Sequence, residues 1–242
     1  MSKTYAVVVT TVGDGLFLND YISAAKGENV IDDVTFIVIP DRKSPRELHD
    51  RCKELAAGDI RIICPTLEQQ DKYCNKLGLS NIIPYNSNNR RNIGFLMAYE
   101  RGDDILVSID DDNFPLAEYP YFTGHSLVGE TVKGRELYSG NGWYNICELM
   151  TVHPEPQYPR GFPFKHRHQA PEITTREVTR EIHVNAGLWL GHPDIDAVGC
   201  LFAPASATEF KGESFILGPS SWTPINTQNT ALIREAIPAY YY

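Results

Sequence analysis

Short apolar stretches separated by amphipathic segments set the strongest limit on what this chain can fold into. TYAVVVTTV (4–12) is rich in β-branched residues and stops at Gly13, DVTFIVIP (33–40) stops at Pro40, and DILVSI (104–109) runs straight into three aspartates. Such runs read as buried strands, and DIRIICP (59–65) reads as another. Between them lie helical patterns. FLNDYISAAK has helical spacing. SPRELHDRCKELAA offers Ser44 as N-cap, Pro45 at the first helical position and Glu47 three residues after the cap. TLEQQDKYCNKLG ends at Gly78, and NRRNIGFLMAYERG (89–102) ends at Gly102. This alternation predicts an α/β protein with a Rossmann-like, mostly parallel sheet flanked by helices. After Asp112 the rhythm breaks. From Asn113 to about Arg180 the chain is rich in Pro, Gly, Tyr and His, and VNAGLWLG (184–191) reads as one further strand. The expected organisation is an α/β half over 1–112 and a loop-rich half over 113–242 of the same continuous domain.

A chain of 242 residues, 42% hydrophobic and 22% charged, is long enough and apolar enough for a substantial core. Its net charge of -9 argues against a nucleic acid or an anionic membrane as the main partner, since both call for a basic footprint. A phosphorylated small molecule remains compatible, because one metal ion or a few arginines reverse the local field. Cys52, Cys64, Cys74, Cys147 and Cys200 are widely spaced and form no CxxC pair, which fits reduced thiols better than a disulfide framework or structural zinc. The apolar run near the N-terminus is too short for a signal peptide, and no stretch reaches membrane-spanning length. The expectation is a soluble, cytoplasmic protein.

The aspartates are the most informative point. In an open α/β sheet, ligands bind outside the carboxyl ends of the strands, and ILVSIDDDNFP (105–115) places Asp110, Asp111 and Asp112 at such an end. Adjacent carboxylates repel unless a cation or N–H donors offset them. Mn²⁺ or Mg²⁺ favours carboxylate oxygen and bridges to a diphosphate. If the strand continued, Asp110 and Asp112 would share one face and Asp111 would point away. A solvated strand end, or Asp112 as a helix cap, is the plain alternative.

Beyond the aspartates, four ordered blocks resemble the reversibly glycosylated polypeptides, or UDP-arabinopyranose mutases, a family of GT-A-like proteins. RRNIGFLMAYERGDDILVSIDDDNFP is similar to the family's helix and IDDDC strand end. YPRGFPFKHR (158–167) resembles RGYPFxxR, AGLWLGHPDIDA (186–197) resembles GLWLNxPDYDA, and INTQNTALIREAIPAYYY (225–242) resembles GMNLAFxRxxxxPAMYF. Before position 88 the likeness is one of pattern only.

The resemblance implies a GT-A-like, metal-dependent enzyme that breaks the anomeric C–O bond of a nucleotide sugar, with UDP as the expected nucleotide, by glycosyl transfer or by pyranose/furanose mutation. A small-molecule or glycan acceptor would follow from the transferase form. The first half would bind the nucleotide and the second the sugar or acceptor. On this reading Asp110 and Asp112 handle metal and ribose, with Asp111 between them. Arg160 corresponds to the residue that becomes reversibly glycosylated, and Arg167 assists. Chemically, an arginine stays protonated and is a poor nucleophile, so the stronger role is a charge-assisted clamp on the leaving diphosphate. Both arginines also fit loop residues paired with surface acids.

Thr10, Thr11 and Asp41 end the first two strands and are candidates for uracil or ribose, or for ordinary capping. Arg91 faces the diphosphate or the solvent, and Asn229 matches the family's Asn. Trp189 is a sugar platform or, more simply, core. Asp194 and Asp196 offer an acceptor-binding pair or an acidic turn, and His166, His168, His183 and His192 fit no zinc spacing. Ala186 stands where the family has His, and Thr227-Gln228 where it has Gly-Met. The chain ends at Tyr242, where family members continue, so a shortened relative and a longer parent chain are both open. Two further readings remain: a catalytically silent paralogue or partner subunit, and a Rossmann methyltransferase or dehydrogenase resting on GDG (13–15), which lacks a third glycine at Leu18. Homo- or hetero-oligomerisation is left open.

Overall fold

The computed structural model describes residues 3–240. In chain order the elements are β1 (Tyr5–Thr11), α1 (Leu18–Gly27), β2 (Val34–Pro40), α2 (Arg46–Ala57), β3 (Ile62–Ile63), α3 (Leu67–Lys76), α4 (Arg91–Arg101) and β4 (Ile105–Ile109). They continue with α5 (Tyr121–His125), β5 (Thr131–Ser139), β6 (Met150–His153), β7 (Ile173–Glu181), β8 (Val184–Ala186), α6 (Ala197–Phe202), β9 (Ser206–Phe210), β10 (Ile216–Leu217) and β11 (Asn229–Ile233). The chain falls into two compact units. Of the described residues, one comprises 3–130, 182–185 and 227–240, and the other 131–181 and 186–226. The C-terminal segment belongs to the first unit, where β11 adds to the sheet.

The first unit is α/β. Its central sheet runs in the order β3-β2-β1-β4-β11-β8, with β1, β2, β3 and β4 parallel and β11 antiparallel to β4. Strand alternation sorts the side chains into two layers. Tyr5, Val7 and Val9 of β1 join Val34, Phe36 and Val38 of β2 under α1 and α2, where Leu18, Tyr21, Ile22 and Leu48 bury. Ala6 and Val8, with Ile37 and Ile39, pack on the other face against Cys74 of α3 and Ile93, Phe95 and Ala98 of α4. Helix α4 can lie this close because Gly94 has no side chain: a Cβ there would stand 2.5 Å from Val8 Cγ1. Among the described residues no helix is long and apolar enough to cross a membrane.

Several local expectations change. Ser44 does not cap α2; Pro45 is the N-cap residue. The Ser44 hydroxyl instead donates to Thr11 O (2.6 Å) and accepts from Asp41 N (2.8 Å), tying the ends of β1 and β2 together. The 59–65 strand shrinks to Ile62–Ile63 at the sheet edge, ended by Pro65. Thr66 does form a capping box with Gln69. Gly102, at φ 79°, closes α4. In GDG, Gly15 sits at φ 82°, and a Cβ there would stand 2.7 Å from Leu48 Cδ1, so its missing side chain serves packing on α2.

The second unit is built on the β5–β7 antiparallel pair, from Thr131↔Glu181 to Ser139↔Ile173, with β10 beside β5. Glu136, almost fully buried, accepts from Tyr138 Oη, from Arg176 (2.7 and 2.9 Å) and from Arg180 (3.2 Å). The Tyr138 and Arg176 hydrogen bonds, with Arg180, hold its carboxyl down to about 2. Of VNAGLWLG only Val184–Ala186 is strand. The rest is irregular because Leu188 and Leu190 pack into a separate small core around Cys147, Met150, Val152 and Ile195, and Gly191, at φ 80°, turns to bridge Ala207.

Candidate functional site

In the first unit, β1 lies between β2 and β4. The carboxyl ends of these three strands therefore meet where the strand order reverses, the position at which open α/β sheets bind ligands. A cavity of about 240 Å³ opens there, its wall including Thr10, Thr11, Asp41, Ser87, Arg90 and Asp111. The Asp41 carboxylate accepts from Arg42 N (2.7 Å) and Ser87 N (3.3 Å), so it holds the 86–88 segment beside the end of β2. Arg90, 2% exposed, is fixed by Gln70 Oε1. The Gln70 amide in turn donates to Pro40 O (2.9 Å) and Pro65 O (3.1 Å). The guanidinium groups of Arg42 and Arg90 lie 3.9 and 4.0 Å from the centre of the Tyr85 ring, a cation–π arrangement. Ser87, Arg90, Gln70 and Tyr85 were not singled out from the sequence. The adjacent basic pair at 90–91 was the available signal, and only its second member was taken up.

The three aspartates diverge. β4 stops at Ile109, so Asp110 lies beyond the strand and Asp111–Asp112 form a turn, with Asn113 N bonded to Asp110 O at 3.4 Å. Strand alternation therefore does not govern them, and the expected Asp110/Asp112 face is replaced by three separate settings. Asp110 pairs with Arg91. Asp111 accepts from the Thr11 hydroxyl and lines the cavity. Asp112 is exposed and accepts from Asn113 Nδ2 at 2.9 Å.

Arg91 is buried rather than solvated. Besides Asp110 it reaches Thr10 Oγ1 (3.4 Å) and Thr227 O (3.3 Å), and Ser108 Oγ donates to the same carbonyl at 2.8 Å. It joins α4, β1, the end of β4 and the segment leading into β11. Asn229, at the start of β11, binds His125 Nε2 through Oδ1 at 2.9 Å, while Asn185 Nδ2 meets His125 Nδ1 at 3.1 Å. The two amides select the neutral Nε2–H imidazole, and burial lowers the His125 pKa.

Among the described residues no group of three or more His, Cys, Asp or Glu side chains is placed to hold a metal ion. The donor set is nonetheless the kind a hard cation takes. Mg²⁺ and similar ions use one or two carboxylates and complete their shell with substrate phosphates and water, so Asp110 and Asp112 are candidate donors by their chemistry.

The second unit brings together two of the blocks that carry the family resemblance. A bridge between Pro159 and Ile195, with Arg160 N bonded to Asp194 O (3.0 Å), lays the RGF turn along HPDIDA. Arg160 Nη2 pairs with Asp194 Oδ2 at 3.0 Å, where Asn226 Nδ2 also binds (3.1 Å). Arg167 Nη1 pairs with Asp196 Oδ2 at 2.9 Å, and the other oxygen of Asp196 caps α6 at Val198 N and Gly199 N. Arg160 stays largely exposed. Arg167 is mostly buried near the Tyr158 and Phe164 rings, with a buried Nε that meets no partner. Trp189 is 8% exposed, and its indole N–H is likewise buried without a partner. Its burial matches a core residue.

No protein-family model and no curated protein sequence matches the chain. Among solved structures it is similar to glucosyl-3-phosphoglycerate synthase from Mycobacterium tuberculosis in complex with Mn²⁺ and UDP-glucose, at 20% identity over 56% of this chain and 43% of that one, with a TM-score of 0.33. The same enzyme in complex with UDP gives 19% identity over 62% and 48%, with a TM-score of 0.35. The match thus spans less than half of that protein's length. The likeness is distant, and the chemistry below rests on the residues of this chain.

Proposed function

We propose that the protein is a nucleotide-sugar enzyme of GT-A type that uses a divalent cation to cleave the anomeric C–O bond of a UDP-sugar. The observation that carries this reading is the cavity at the ends of β1 and β2, where Thr11 binds Asp111 and Asp41 anchors Ser87 beside Arg90. Carboxylate and hydroxyl groups there suit a ribose, and Asp110–Asp112 lie at the neighbouring strand end. Asp112 and Asp110 are assigned as the oxygen ligands of Mn²⁺ or Mg²⁺, which when bound offsets charge on the leaving diphosphate. Arg91 holds the Asp110 carboxylate in place. The C–O electron pair leaves with the diphosphate. The sugar then passes to an acceptor hydroxyl that gives up its proton, or returns to the diphosphate with a changed ring. Incubation with UDP-arabinopyranose alone separates the two: furanose formation supports the mutase form, and UDP release only when an acceptor is added supports the transferase form. Absence of either reaction contradicts the proposal.

A second reading is favoured by one observation. Arg91, Arg160 and Arg167 are each already paired with a carboxylate of this chain. A catalytically silent paralogue would keep these arginines as structural ion pairs. It would bind UDP without turning over any UDP-sugar.

A further inference from the structure

The second unit contains a cavity of about 290 Å³ that the nucleotide-sugar reading leaves unused. Its lining includes aromatic rings. Trp143 meets Phe162 edge-on with ring centres 6.1 Å apart, and Phe162 lies against Tyr158 at 5.3 Å. The lining also carries Glu148, Lys211 and the amide of Gln157, which donates to Pro154 O at 2.7 Å. Among the described residues the side chains of Glu148 and Lys211 make no hydrogen bond and no ion pair. Glu148 is exposed over much of its surface, yet packing about its carboxyl raises its pKa, with the Lys211 charge opposing. The neighbouring Tyr144 phenol is pushed up to about 12, first by burial and then by Glu148.

Each ligand class meets these walls differently. An apolar molecule would cover Trp143 and Phe162 but leave an acid and an ammonium desolvated without partners, which is costly. An anion would face the Glu148 carboxylate. A neutral pyranose has an apolar C–H face for the aromatic rings and a rim of hydroxyls. These donate to Glu148 and accept from Lys211 and the Gln157 amide. We propose that this cavity, lined by Trp143, Phe162 and Tyr158 together with Glu148 and Lys211, is a binding site for a neutral sugar ring. The site lies wholly within the second unit and does not depend on nucleotide binding in the first.

Saturation-transfer NMR on the full chain with methyl β-D-glucopyranoside and methyl α-L-arabinopyranoside tests this, with phenol as the apolar control. The expected result is transfer to the ring protons of at least one pyranoside, reduced fivefold or more in Trp143→Ala. Glu148→Gln, at an exposed side chain that leaves folding intact, raises the dissociation constant at least threefold. Saturating UDP leaves the sugar signal unchanged, so failure of the nucleotide reading is seen separately, as absence of UDP binding beside a persisting sugar signal. No transfer to either pyranoside, transfer unchanged in Glu148→Gln, or phenol bound more tightly than both sugars overturns the proposal.

Discussion

Arg91 and Asp110 form an ion pair at the carboxyl end of β4, with the arginine side chain 4% exposed and the aspartate 26%. One of the three aspartates is thereby neutralised by the chain itself, and the repulsion expected of DDD is relieved before any ligand binds. Removing one partner from such a pair strands the other charge. Arg91→Met is expected to cost about 3 kcal/mol of unfolding free energy, and Arg91→Met combined with Asp110→Asn to recover more than half of it. Urea unfolding of the two single variants and the double variant checks the cycle.

Gly94 is expected to tolerate no larger residue. Its missing Cβ leaves room for Val8 at 2.5 Å and Ile39 at 3.1 Å, and both neighbours are fully buried. Gly94→Ala must push α4 off the sheet. A loss of about 2 kcal/mol, typical of overpacking, is expected in thermal or urea unfolding, against the gain that alanine gives at an exposed helix position.

Ser44 links the ends of β1 and β2 through two hydrogen bonds. Ser44→Ala is expected to cost about 1.5 kcal/mol in stability and to weaken UDP binding more than Thr66→Ala. Thr66 caps α3 and does not line the cavity. Calorimetry on the two variants gives the comparison.

His125 gives the pH dependence a sign. Burial lowers its pKa from the ordinary value of 6.5, and the Asn185 and Asn229 amides suit the neutral ring. Below 6.5 the unfolded chain takes up a proton that the folded chain refuses. The stability from this group is therefore complete above 6.5 and is lost as pH falls toward the folded pKa, with a slope of at most about 1.4 kcal/mol per pH unit. His125→Gln is expected to flatten the unfolding profile across that window.

The α/β character was legible because β1, β2 and β4 are apolar on both faces, and buried parallel strands leave that mark. Thr10–Thr11, Asp41 and the Asp110–Asp112 run stood out as strand ends for the same reason, as the polar residues that close such runs. Other features were not. Ser44 followed by Pro45 and Glu47 satisfies the rule for a capped helix start, yet a tertiary partner, the Thr11 carbonyl, claims its hydroxyl. The exact end of β4 decides which aspartate faces the cavity, and strand ends depend on hydrogen bonding that a sequence does not display. Arg90 escaped notice because nothing local separates a buried guanidinium from a solvated one; Gln70, far off in sequence, makes the difference. VNAGLWLG was read as strand throughout, and only Val184–Ala186 is, since periodicity alone does not separate an irregular core segment from a pleated one.

The central claim is that Asp110–Asp112 and the cavity at the ends of β1 and β2 bind a uridine diphosphate together with a divalent cation. Calorimetric titration with UDP and GDP, with and without Mn²⁺, tests it most directly. The account predicts that UDP binds more tightly than GDP, that Mn²⁺ strengthens UDP at least tenfold, and that Asp112→Ala abolishes this gain while leaving the fold intact. Equal binding of UDP and GDP without Mn²⁺, no binding of either, or an unchanged response in Asp112→Ala would contradict it.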